Sequence, residues 1–156
     1  MMRNIRWMLA AMLALSFTAA QAQVKPKVTK LDEVPKTVLY IGNSFFYYNN
    51  SLHNHVLKLA NAADPSAHYL ATSATISGSG LNWHDVESLF AADGMASYSF
   101  APGNKVVMNT RNKKFDAAIM MDCSQCPVHP QLKPFFTEAA AKDAAIVRKH
   151  GADPVL

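Results

Sequence analysis

Glycine is scarce in this chain, with six among 156 residues. None of the six falls into the spacing of a P-loop or a dinucleotide-binding fingerprint. A phosphate-binding reading of the turn near Gly42 therefore rests only on the free N–H groups of a strand–turn–helix. Cysteine is scarcer still, with Cys123 and Cys126 in a Cys-Ser-Gln-Cys arrangement. A metal site would need two further ligands at matching spacing, and none is present, so neither metal nor cofactor is expected. Pro127 follows too closely for a thioredoxin-like pair at a helix start. Two loop thiols, or one local staple in an exported protein, remain as readings. The chain also lacks internal repeats, low-complexity tracts and, beyond its N-terminus, any apolar run approaching the roughly 20 residues of a membrane span.

What is present begins with an export signal. Met1 to Arg6 carry Arg3 and Arg6 and no acid, Trp7 to Ala20 are apolar, and Ala20-Gln21-Ala22 is a small-x-small cleavage site. Residues 1–22 read as a secretory signal peptide cleaved before Gln23, which implies a secreted or periplasmic protein with no membrane partner after cleavage. Its removal lowers the formal net charge from +4 to +2. The basic clusters Lys25, Lys27, Lys30 and Arg111, Lys113, Lys114 carry no interleaved aromatics. They read as solvated faces, and no nucleic-acid partner is expected.

Residues 23–36 form a Lys- and Pro-containing lead-in without periodicity, and 37–156 suit one small domain. Thr37 to Gly42 reads as a strand. Asn49, Asn50 and Ser51 offer N-cap side chains to a helix in which Leu52, Val56, Leu59 and Ala60 recur, ending near Ala63 before Asp64-Pro65. His68 to Ala74 reads as a second strand, and Leu81 to Phe90 contains a short helix. Lys105 to Thr110 reads as a strand or hairpin arm. Phe115 to Met121 is a continuous apolar run suited to a strand buried on both faces. An Ala-rich helix is expected from about Pro134 to His150, with proline in its first turn and Gly151 just past its end. Asp153 to Leu156 begins one more strand. Alternating strands and helices predict an α/β fold with a parallel sheet, incomplete at its C-terminal side.

Within this pattern Leu39-Tyr40-Ile41-Gly42-Asn43-Ser44-Phe45 stands out. An apolar, strand-forming run stops at a small-polar turn carrying one serine. Ser44 is thereby placed at the carboxyl end of a strand, where open α/β sheets bind ligands. A serine there acts as a nucleophile when a base and an oxyanion cradle surround it.

The same stretch resembles the first block of the SGNH (GDSL-like) hydrolases, in the branch that carries Gly-Asn-Ser-Phe. Ile76-Ser77-Gly78-Ser79-Gly80-Leu81, with His84 beyond it, resembles the family's glycine block. Phe115 to Met121, continuing into Asp122-Cys123-Ser124-Gln125, resembles its third block. The resemblance covers most of the chain from Thr37 onward. It implies a flavodoxin-like three-layer α/β/α fold and hydrolysis of an ester, with acylated carbohydrate or another small ester as substrate. Carried over, Ser44 is the catalytic nucleophile, and the backbone N–H groups of Ser44 and Gly78 contribute to an oxyanion hole. Gly78 fits because a residue without a side chain lets backbone come close. A third donor comes from Gln125 or Asn43, because Met121 and an ionised Asp122 cannot donate. Asn43, Tyr47 and His84 are support or substrate-wall candidates. Phe45 and Phe46 are expected between helix and sheet, with the tyrosines partly exposed.

The family's Asp-x-x-His block has no match between Glu138 and Leu156. Ser44 is left without an assigned base; His84 and His129 are the outside candidates, whereas His53, His55 and His150 suit surface or capping roles. The leading reading is an exported SGNH-type esterase, or a shortened form of one lacking its base. A non-catalytic exported binding module and a chain that does not fold stably are the alternatives. Oligomeric state is not legible.

Overall fold

A computed structural model describes residues 33–91, 97–103, 105–109 and 115–156. The signal peptide, most of the lead-in, and both basic clusters lie outside the described residues. Pro35–Leu156 forms one unit. Its elements are β1 (Thr37–Gly42), α1 (Ser44–Tyr47), α2 (Leu52–Ala63), β2 (Leu70–Thr75), a 3-10 turn (Leu81–Trp83), α3 (Val86–Phe90), β3 (Ser97–Ala101), β4 (Lys105–Asn109), β5 (Ala117–Met120), α4 (Lys133–Lys149) and β6 (Asp153–Val155).

Four strands form one sheet in the order β2-β1-β5-β6, and every pairing in it is parallel. The expected α/β architecture is therefore present. Lys105–Asn109 is a hairpin arm: it pairs antiparallel with Ser97–Ala101 in a separate two-stranded sheet. Its partner arm ends at Pro102-Gly103, a turn-forming pair.

Alternation along β1 sends side chains to opposite faces. Leu39 and Ile41 join Ala118 and Met120 of β5, Val86 and Phe90 of α3, and Ala139, Ala140, Ala144 and Val147 of α4 in the main core. Tyr40 points the other way, its ring edge-on to Phe46 and tilted against His53 of α2. Helices thus cover both faces. The N-terminal ends of β1 and β5 are joined by Asp116, whose carboxylate accepts hydrogen bonds from the Lys36 and Thr37 N–H groups and the Thr37 hydroxyl.

The ends of α4 follow the sequence closely. Proline sits in its first turn and Arg148 and Lys149 in its last. Gly151 adopts φ +74°, the left-handed angle glycine accepts without a Cβ penalty. Gly151 N–H bonds the Arg148 carbonyl and Ala152 N–H the Val147 carbonyl, the two bonds of a Schellman ending.

Two side-chain expectations are corrected, and the inner side of α2 is seen. Phe46 is buried but Phe45 is 56% exposed, because α1 is one turn long and only one of the two rings can face the sheet. Ser51 occupies the N-cap position of α2 without capping it; its hydroxyl donates back to the Tyr47 carbonyl instead. The apolar series Leu52, Val56 and Leu59 does not face the sheet, and Leu59 is 72% exposed. His53, Leu57 and Ala60 lie on the half-buried side, and Asn61 there exchanges hydrogen bonds with the Tyr69 backbone. Polar contacts to the β2 approach, rather than apolar burial, orient this helix.

Candidate active site

Because β1, β2 and β5 run parallel and in register, with Gly42 opposite Thr75 and Ile41 opposite Met120, the loops that follow them leave the same edge side by side. Asn43 joins all three. It is 3% exposed. Its Nδ2 donates to the Ser79 carbonyl at 2.9 Å and the Asp122 carbonyl at 3.2 Å, while Oδ1 accepts from the Phe45 N–H and caps α1. A primary amide has two N–H donors, and both are engaged. Asn43 is therefore a support and not a third oxyanion donor, which leaves Gln125 of the two side chains considered.

The glycines around this clasp play different parts from those expected. A Cβ on Gly42 would lie 2.9 Å from the Phe46 ring, and one on Gly80 would lie 2.7 Å from Asp122 Oδ1. These are the close approaches. Gly78 has open space around its Cα and is needed for its φ of +69°. The Gly42 carbonyl accepts from the Ile76 N–H and the Ser79 hydroxyl, fixing the glycine loop against the end of β1.

Ser44 begins α1 and is half-buried. Among the described residues its hydroxyl has no hydrogen-bond partner, and the N–H groups of Ser44 and Gly78 donate to no described acceptor. No described histidine bonds Ser44. His84 is buried and its Nε2 lies 3.0 Å from the Ser79 hydroxyl. Burial pushes the His84 proton affinity down, with the Gly42 backbone and Asp122 opposing. A Ser–His pair at this distance has the geometry of an activated nucleophile, but Ser79 is fully buried and no substrate reaches it. His129 Nδ1 accepts from the Gln131 N–H, His55 Nε2 contacts the Asn49 carbonyl, and His150 meets Glu87 and stacks on Phe90. His53 is turned toward Tyr40, with burial lowering its proton affinity. Tyr47 is half-buried, its ring edge-on to Tyr48.

In the third loop, Asp122 Oδ1 accepts from the Leu81 and Cys123 N–H groups. Cys123 and Cys126 form a disulfide, the local staple among the alternatives. Asp122, Cys123 and Cys126 could present three ligand atoms to a cation, but the disulfide removes the thiolates that such a site requires. Gln125 is exposed inside the stapled turn, and its carbonyl accepts from the Val128 and His129 N–H groups. The parallel order of the blocks places Ser44, Gly78 and Gln125 on three neighbouring loops of one edge. Asp143 of α4 was missed by sequence reasoning. Its signal was a charge on the helix's apolar stripe, between Ala140 and Ala144.

No family model matches this chain, and no curated protein or solved structure is significantly similar to it.

Proposed function

We propose that this protein is an exported ester hydrolase of the SGNH type, with Ser44 as nucleophile and acylated carbohydrate or another small ester as substrate. The observation that carries the reading is the Asn43 clasp. It ties the Ser44 turn to the Gly78 loop and the Gln125 loop at the carboxyl edge of a parallel sheet. The strand order supports it too, since second-first-third-fourth is how a flavodoxin-like sheet begins.

In this reading the Ser44 hydroxyl oxygen bonds the ester carbonyl carbon, and the carbonyl electron pair moves onto oxygen. The unengaged N–H groups of Ser44 and Gly78 and the Gln125 amide receive that charge, as fixed donors do better than reorganising water. Collapse breaks the acyl–oxygen bond, the alcohol leaves with the serine proton, and water then releases the acid. The described residues place no base against Ser44. Loss of a triad member costs on the order of 10⁴-fold in rate, so slow turnover is expected of this chain. Hydrolysis of p-nitrophenyl acetate by the wild-type chain, absent in Ser44→Ala, is the test; equal rates in the two refute the assignment.

The engagement of His84, His129, His55 and His150 elsewhere favours one second reading, an exported module that binds an acylated ligand without cleaving it. Saturable binding of an acetylated sugar, unaccompanied by release of acetate, distinguishes it.

A further inference from the structure

We propose that the cleft between α4 and the 3-10 turn binds a small organic cation with an ammonium or guanidinium head. The cleft is open on one side, has a volume of about 190 Å³ and is lined by Asn82, His84, Phe135, Glu138, Lys142 and Asp143, together with Ala139. At roughly 30 Å³ per water molecule, this volume fits a head group of a few heavy atoms.

Asp143 carries the argument. It is 2% exposed and is the only charged residue on the buried stripe of α4, among Ala139, Ala140, Ala144 and Val147. Its Oδ2 is buried without a hydrogen-bond partner among the described residues. A buried acceptor left unpaired is destabilising, more so when charged, and a cation seated in the cleft that Asp143 lines offsets that charge. The surroundings select for positive charge. Glu138 adds a second carboxylate at the rim, so the lining holds two carboxylates against the one ammonium of Lys142, whose charge already acts on Asp143. His84 is held neutral by burial and does not repel a cation. Phe135, 63% exposed, lines the cleft and supplies an aromatic ring for cation–π contact. An anion would meet two carboxylates. The site does not depend on Ser44 being a nucleophile.

Binding is expected to follow the ionisation of Asp143. Desolvation raises its pKa to about 6, Lys142 opposes and Asp122 reinforces. Of the charged and titratable groups on neighbouring elements, Glu138 and Lys142 lie on α4, His84 after the 3-10 turn, Asp122 after β5, and Glu87 on α3, where Lys149 and His150 hold it. Below about pH 6 the protonated carboxyl no longer attracts a cation, so affinity falls with acidification.

The experiment is titration of the full chain with methylguanidinium at pH 8, followed by amide chemical shifts, beside N-methylurea as the neutral isostere. Saturable shifts at Asn82, His84 and Asp143 are expected at about millimolar concentration, at least tenfold weaker with N-methylurea. Asp143→Asn should weaken binding at least tenfold and remove its pH dependence, Phe135→Leu should weaken it severalfold, and Lys142→Met should strengthen it. Equal response to the cation and the isostere overturns the proposal. So does unchanged affinity in Asp143→Asn, or, should that variant not fold, in both Phe135→Leu and Glu138→Gln.

Discussion

At the scale of single residues, Asn43 contributes more to the site's order than Ser44 does. Replacing it with alanine removes the α1 cap and strands two buried carbonyls. The cap alone is worth about 1 kcal/mol, and each unpaired buried acceptor costs about 1–3 kcal/mol. Asn43→Ala is therefore expected to lose at least about 2 kcal/mol in urea unfolding. A loss under 0.5 kcal/mol would contradict the clasp. The glycines divide by mechanism. Gly42→Ala drives a methyl into the Phe46 ring and should cost about 1–3 kcal/mol, as overpacking does. Gly78→Ala meets no atom and should cost only the left-handed angle, about 1 kcal/mol. The same melts rank the two. Ser44 was legible because an apolar run ending in a turn places the next side chain at a sheet edge. Asn43's task was not, since its acceptors lie 36 and 79 positions away. The part played by Gly80 was hidden likewise, because the atom it makes room for belongs to Asp122.

At the scale of elements, α4 and α2 teach opposite lessons. The span of α4 could be read from proline at its start and Gly151 at its end, both local signals. Its energetic weak point could not, because it depends on what Asp143 is pressed against. With a carboxyl pKa near 6 when folded and about 3.9 when unfolded, the folded chain holds the proton more tightly. Asp143 therefore penalises folding fully above about pH 6, and the penalty fades as pH falls toward 4. Two pH units at 1.36 kcal/mol each make it about 3 kcal/mol. Asp143→Asn should stabilise the chain by a few kcal/mol at pH 8 and by much less at pH 4, measured as urea midpoints. For α2, periodicity located the helix, but the side that faces inward is not the one its apolar series marks. Leu59→Lys, at an outward position, is expected to change stability by less than about 0.5 kcal/mol. It should also lower binding of an apolar dye, because it interrupts the exposed series with Leu52 and Val56. A large loss of stability would place Leu59 in the core.

At the scale of the whole molecule, the parallel direction of the sheet was legible from alternation, because parallel strands need crossovers and helices supply them here; the order of the strands was not. Ser97–Ala101 was not, since a short antiparallel arm depends on its partner more than on its own sequence. Neither spacing nor composition could decide between free thiols and a bond at Cys123 and Cys126. The bridge closes a turn of sequence separation 3. In the chain-entropy account so small a loop contributes about 2 kcal/mol. Reduction should lower unfolding stability by no more than that while leaving the cooperative melt intact; loss of the melt would mean that the staple holds the fold together.

The amide clasp also carries a dynamic consequence. Ile76, Leu81 and Cys123 each donate a backbone proton within the set of loops that Asn43 bridges. If one side chain gates those loops, they open as a single unit rather than piecemeal. Hydrogen–deuterium exchange would then report one shared protection factor for the three amides in the wild type, splitting into independent values once residue 43 can no longer bridge them.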